Sequence, residues 1–226
     1  MPCWKHWKVL TYRALLQSNS SYLQKATTYK TIEAPAEGQY RVLGSRHISY
    51  AYPVKTEEEI KALIDALWKE HSAATHVCYA WRLGWDKQRY RINDDGEPSG
   101  TAGKPIYGQI QSFDLTNILI AVVRYYGGTK LGTGGLIDAY KTASKLAIDA
   151  ASIIEKPVMN HYKLIFSYDQ MPQIMKALKD LGMEKLNANF ENKCELEFLL
   201  SMDTATQLEK NMEDWQGAEM ELVGAI

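Results

Sequence analysis

The stretch ILIAVVRYYGGTKLGTGGL, residues 118–136, carries the decisive pattern of this chain. Its first six residues are continuously apolar and only strand-length, as expected of a strand buried on both faces. Arg124-Tyr125-Tyr126 ends that run, and Gly127, Gly128, Gly132, Gly134 and Gly135 loosen the chain before a helix expected over 136–152. On that helix Leu136, Tyr140, Ala143 and Ala147 recur on one side. The result is a buried strand, a glycine-rich loop and a packed helix.

Upstream, residues 40–43 and 48–52 are expected to form two strands around Gly44. Thr56 and Glu59 have capping-box spacing, and Ile60, Leu63, Ile64, Leu67 and Trp68 then form one apolar helical stripe. Strands are expected at 77–83 and 89–92, with a turn at Asn93-Asp94-Asp95-Gly96. A second helix is expected to open near Pro105, because proline suits a first helical position.

Lys156-Pro157 marks a boundary. Beyond it Tyr162, Leu164, Phe166 and Tyr168 alternate as one face of a sheet. A helix over 171–181 closes at Gly182. Two strands follow, one with Leu186, Ala188 and Phe190, the other with Leu196, Phe198 and Leu200, with a turn candidate at Asn192-Lys193 between them. A helix marked by Leu208, Met212 and Trp215 closes at Gly217, and Met220 and Leu222 mark a last strand. The order βαββαβ is that of a ferredoxin-like sandwich. The class is α+β, with one domain over 27–156 and another over 157–226.

Charge divides at the same boundary. Residues 1–156 carry 20 Lys+Arg against 15 Asp+Glu; residues 157–226 carry 6 against 12, so the net −1 of the chain hides opposite signs. Residues 1–26 hold Lys5, Lys8, Arg13 and Lys25 with no acid and no continuous apolar core, so they do not resemble a secretory signal. They are expected to be a disordered tail or sequence read from a start placed too early. No apolar run approaches the ~20 residues of a membrane helix. Cys3, Cys78 and Cys194 are far apart and lack zinc-ligand spacing. Together these point to a soluble cytoplasmic protein with reduced thiols.

Two segments exceed what packing requires: residues 123–136, and DDGEPSGTAGKPI at 94–106. Each is a glycine-bearing loop entering a helix, where free N–H groups and the helix dipole favour an anion. Lys104, Arg124 and Lys130 would add charge, Tyr125 a stacking face, and Gly127, Gly128, Gly132 and Thr133 close backbone approach. Asp94, Asp95, Gly96, Glu97, Ser99, Gly100 and Thr101 make up the companion loop. Gly103-Lys104-Pro105 fails the nucleotide P-loop pattern, and Gly132-Thr133-Gly134 followed by Ile137 fails the dinucleotide one. Asp94, Asp95 and Glu97 lack calcium-loop spacing, and Asp-Asp-Gly suits a tight turn, so neither metal nor cofactor is expected.

Residues 94–106 followed by 124–132, in this order and at this separation, resemble the signature of the YigZ/IMPACT family, and the resemblance runs from about Thr27 to the C-terminus. The resemblance implies a first domain with the fold of the second domain of small-subunit ribosomal protein S-five. It implies a ferredoxin-like second domain resembling the last domain of elongation factor G. It points to a non-enzymatic translation regulator that binds RNA, the ribosome or a ribosome-associated protein, without DNA sequence recognition. Eukaryotic members resemble regulators that restrain an amino-acid-starvation kinase through an additional N-terminal domain, so that role is not expected to carry over. A protein-interaction adaptor without nucleic-acid contact, or an enzyme acting on a phosphorylated small molecule, is the alternative.

Overall fold

The computed structural model describes residues 27–191 and 193–225. The expectation for residues 1–26, and Asn192 of the expected turn, lie outside them. The described chain forms two compact units, Thr28–Pro157 and Val158–Ala225.

The first unit runs β1 (Thr28–Ile32), β2 (Ala36–Val42), β3 (Ser45–Pro53), α1 (Glu57–Glu70), β4 (His76–Leu83), β5 (Arg89–Asn93), α2 (Gly103–Ser112), β6 (Ile118–Tyr125), α3 (Gly132–Asp149) and β7 (Ile153–Pro157). Five strands form an antiparallel sheet in the order β2-β3-β6-β4-β5. The apolar strand β6 lies at its centre, buried from Ile118 to Arg124. On one face Ile120 and Val122 pack with Ile106 and Ile110 of α2 and Tyr140, Ala143 and Ala147 of α3. On the other, Val123 and Leu119 pack with Leu67 and Ile60 of α1. Strands β1 and β7 make a separate antiparallel ribbon that was not evident as two strands in the sequence.

Local chemistry sets the helix starts. The Thr56 hydroxyl accepts the Glu59 N–H at 3.2 Å, while the Glu59 carboxylate accepts the Lys55 N–H at 2.7 Å, one residue farther back than in a standard capping box. Helix α2 begins at Gly103, so Pro105 sits third; first-turn N–H groups have no helical acceptor, and proline loses nothing there. Helix α3 begins at Gly132, four residues earlier than the apolar spacing predicts, because its glycines lie in a turn that needs no side-chain packing.

The second unit runs β8 (Met159–Phe166), a 3₁₀ turn (Tyr168–Gln170), α4 (Met171–Asp180), β9 (Glu184–Asn189), β10 (Cys194–Ser201), α5 (Met202–Asp214) and β11 (Glu219–Ala225). Its antiparallel sheet has the order β11-β8-β10-β9, the ferredoxin-like arrangement. Tyr162, Leu164, Phe166, Leu196, Phe198 and Leu200 fill the core with Ile174, Leu178, Leu208 and Trp215. Tyr168 does not continue the sheet face: Ser167 and Gln170 close a capping box, the chain turns, and Tyr168 is exposed. Leu186 and Phe190 are also exposed: Leu186 is skipped where the pairing of edge strand β9 passes from Asn187↔Glu197 to Lys185↔Phe198, and Phe190 lies past the end of that strand. Among the described residues no helix is long and apolar enough to cross a membrane.

Candidate functional site

Loop 94–104 is held by its own carboxylates. Asp94 Oδ2 accepts the Gly100 N–H at 2.8 Å, and Oδ1 accepts those of Ala102 at 3.1 Å and Gly103 at 2.8 Å. The anion expected at the start of α2 is therefore already present as the Asp94 side chain. Burial alone would raise the Asp94 pKa, but the Gly100, Gly103 and Ala102 N–H groups and the Lys104 charge outweigh it and hold it below the usual carboxylate value. Asp95 Oδ2 accepts the Val77 N–H at 2.6 Å, and the Asp95 carbonyl lies 2.6 Å from His76 Nδ1. Thr101 Oγ donates to the Pro98 carbonyl at 2.7 Å. Ser99 is exposed, and the Lys104 stem runs close to Gly100, whose φ is +77°. Asp94→Ala is expected to lower stability by about 2–3 kcal/mol, read from the urea midpoint, with Asp94→Asn recovering part of the loss.

Glu97 points inward. Its Oε1 accepts from Arg124 Nη1 and, at 2.8 Å, from the Tyr140 hydroxyl, with His76 Nε2 at 3.9 Å. Glu97 is 8% exposed and Arg124 5%. His47, Arg124 and His76 are cross-strand neighbours on β3, β6 and β4. His47 is fully buried, packs edge-on against Tyr140 at 5.2 Å, and has no hydrogen-bond partner at either ring nitrogen. Burial, then the Arg124 charge, lowers its pKa from 6.5 to about 4 against the opposing pull of Glu97. Beside it, burial pushes both the Cys78 thiol and the Tyr140 phenol upward, so neither ionises readily. A buried thiol kept protonated is a poor nucleophile.

Arg124, expected to face a ligand, is thus placed in the core as the partner of Glu97. Asp94, Asp95 and Glu97 diverge to separate partners and form no common oxygen cage. Tyr125 is half-buried against α1, its hydroxyl 2.9 Å from His71 Nδ1 and its ring under the Arg46 guanidinium at 4.4 Å; the exposed member of the pair is Tyr126. His47 and His76 were not singled out from the sequence. His47 shares the inward alternation of Ser45, Ser49 and Ala51, which was the available signal.

The second loop divides in function. Gly127 donates its N–H to Ser45 Oγ at 3.1 Å, and a Cβ there would lie 1.9 Å from the Gly44 carbonyl carbon, so this glycine fits two backbones together. Gly128, Thr129, Lys130, Gly132, Thr133 and Gly134 are exposed. Helix α3 has no side-chain cap and no acid in its first turn. A Cβ on Gly134 would meet nothing within 4 Å, so packing does not demand glycine there. Free N–H groups, an open helix end and the Lys130 ammonium remain available to an anion, unlike the filled end of α2.

The Impact N-terminal domain profile matches residues 43–148, which contain both loops. The chain is 31% identical to the Escherichia coli IMPACT family member YigZ over 192 residues, 84% of this chain and 94% of that one. It is 33% identical to the Bacillus subtilis IMPACT family member YvyE over 153 residues, 68% of this chain and 70% of the relative. A crystal structure of a hypothetical protein superposes with a TM-score of 0.74 at 28% identity, covering 88% of this chain and 99% of that one.

Proposed function

This chain belongs to the IMPACT family, and on that premise we propose that it is a non-enzymatic regulator associated with translation in the cytoplasm. It binds RNA, the ribosome or a ribosome-associated factor through the exposed loop 128–134. The observation that carries this reading is the uncapped N-terminus of α3, with Lys130 beside it and no acid in its first turn. Lys104 supplies a further exposed cation at the start of α2. Phosphate oxygens suit such a surface, because N–H groups and ammonium ions donate and phosphate accepts. The acidic second unit opposes general nucleic-acid affinity and limits contact to a few phosphates.

Sedimentation with ribosomes tests it. Association is expected at low salt, with log affinity falling by about 0.7–0.9 for each phosphate neutralised per log unit of salt. Lys130→Glu combined with Thr133→Asp is expected to weaken it about ten-fold. Undiminished binding by this variant, or none by wild type at low salt, would remove the basis for the reading.

A further inference from the structure

Strands β2, β3 and β6 bring Arg41, Arg46 and Tyr125 into one row: Arg41 stands directly opposite Arg46, and Arg46 directly opposite Tyr125. Directly opposed residues of antiparallel strands share a face, here the one that carries α1. Helix α1 packs over Val77 and Val123 and leaves β2 open, where Glu37, Gln39 and Arg41 are exposed. Two like charges directly opposite each other destabilise a sheet. Among the described residues neither guanidinium has a carboxylate partner. Glu37, the acid on the same side of β2, stands opposite Tyr50, about 13 Å back along the strand from Arg41. Glu70, at the end of α1, lies 3.8 Å from His71 Nε2.

Both side chains are nonetheless held in place. The Arg46 guanidinium lies over the Tyr125 ring, 4.4 Å from its centroid, and the Tyr125 hydroxyl is itself 2.9 Å from His71 Nδ1. The Gln39 amide oxygen accepts from Arg41 Nε at 2.7 Å and Nη2 at 3.1 Å. Stacking uses a face of Arg46 and leaves its N–H groups free, while Gln39 takes one edge of Arg41 and leaves the other. Groups already held lose little freedom when they bind. The row also adjoins the start of the glycine-rich loop. Gly127 fits against Gly44 at the β2–β3 turn, and Arg41 and Arg46 are two to three residues from Gly44, about 7–10 Å along their strands. Lys130 and the uncapped start of α3 follow Gly127 in the chain.

We propose that Arg41 and Arg46 clamp a backbone phosphate of single-stranded RNA. The two guanidinium groups donate to oxygens of one phosphate, whose charge cancels their mutual repulsion. The strand then rounds the end of the sheet to loop 128–134, where Lys130 and the free N–H groups of α3 take further phosphates. The arginines stand on the α1 face, whereas α3 packs on the opposite one, so the path needs a strand that bends. Donors at two places around one sheet end suit a ligand with repeated phosphates rather than one small anion. The proposal rests on the reading of loop 128–134 given above and names RNA as its ligand.

The test uses the full chain and a short fluorescein-labelled oligouridylate, read by anisotropy over a range of salt. Arg41→Gln combined with Arg46→Gln is expected to weaken binding about ten-fold at low salt and to lower the slope of log affinity against log salt by about 0.7, one phosphate's share. Arg41→Lys with Arg46→Lys keeps the charge without the planar fork, so it is expected to keep the slope and lose part of the affinity. The urea midpoint checks that each variant keeps its fold. The pair Lys130→Glu and Thr133→Asp separates this proposal from the loop reading. If that pair alone binds like wild type, the loop reading fails and the arginine clamp stands. Wild-type affinity and slope in the double glutamine variant would overturn the clamp whatever the loop variant does. No binding by wild type, full displacement of the oligonucleotide by inorganic phosphate at matched ionic strength, or capture of a labelled polyglutamate peptide in place of RNA would also overturn it.

Discussion

Replacing Glu97 with alanine is expected to cost about 3–5 kcal/mol of stability, one of the two largest effects anticipated here. Glu97 is the acceptor shared by Arg124 and the Tyr140 hydroxyl. Its removal leaves a guanidinium that is 5% exposed without a counter-charge, while Arg124 Nε already lacks a partner. Stranding a buried charge costs more than the net worth of the pair. The measurement is the urea midpoint followed by tryptophan fluorescence, with Trp68, Trp81 and Trp85 in the first unit and Trp215 in the second. A double-mutant cycle sharpens it: Glu97→Ala with Arg124→Met should cost less than the two single changes summed, because the second removes the stranded charge. A single-variant loss below about 1 kcal/mol, in the range of an exposed pair, would show that the pair is not buried as described. Arg124→Ala is consequently a poor probe of ligand binding, since it perturbs the core.

The second large effect is on pH dependence. His47 has its pKa lowered from 6.5 to about 4. The unfolded chain takes up a proton below pH 6.5 that the folded chain refuses until about pH 4. Stability from this residue is therefore complete above 6.5 and is lost as pH falls between those values. A drop from 6.5 to about 4, at about 1.36 kcal/mol per unit, corresponds to roughly 3 kcal/mol. His47→Phe keeps a flat ring against Tyr140 and removes two unpartnered nitrogens, so its stability should stay level over this window and exceed wild type near pH 4.5. Asp94 titrates in a lower window: its contribution is present above the ordinary carboxylate value and is lost as pH falls through its depressed folded value. Equal slopes for wild type and His47→Phe between pH 6.5 and 4.5 would refute the assignment to His47.

The residues of the two loops were legible in the sequence as a group, because glycines and charges stood out against the packing pattern. Their separate roles were not. Asp94 and Lys104 lie in one loop and look equally available on paper. In the structure the first fills the start of α2, while the second remains exposed. Arg124 and Lys130 are six residues apart, yet one is buried at the end of β6 and the other lies outside. Tyr125 was read as a stacking face, yet adjacent strand residues point to opposite faces, and which face α1 covers is not written in the local pattern.

The sequence by itself determined the central strand and the ferredoxin-like order of the second unit. A continuous apolar run, and apolar residues at every second position, can bury themselves in few ways, and these patterns are local. The capping residues Thr56 and Glu59 belong to the same class, since their chemistry acts within a single turn. Only the tertiary structure decided that Glu97 and Arg124, 27 positions apart, neutralise each other beneath α3. The same is true of the opposite fates of the two helix ends. Such pairings depend on which strands lie side by side and on what burial leaves each charge to meet, and the free energy of a buried charge is set by its neighbours in space rather than by its neighbours in the chain.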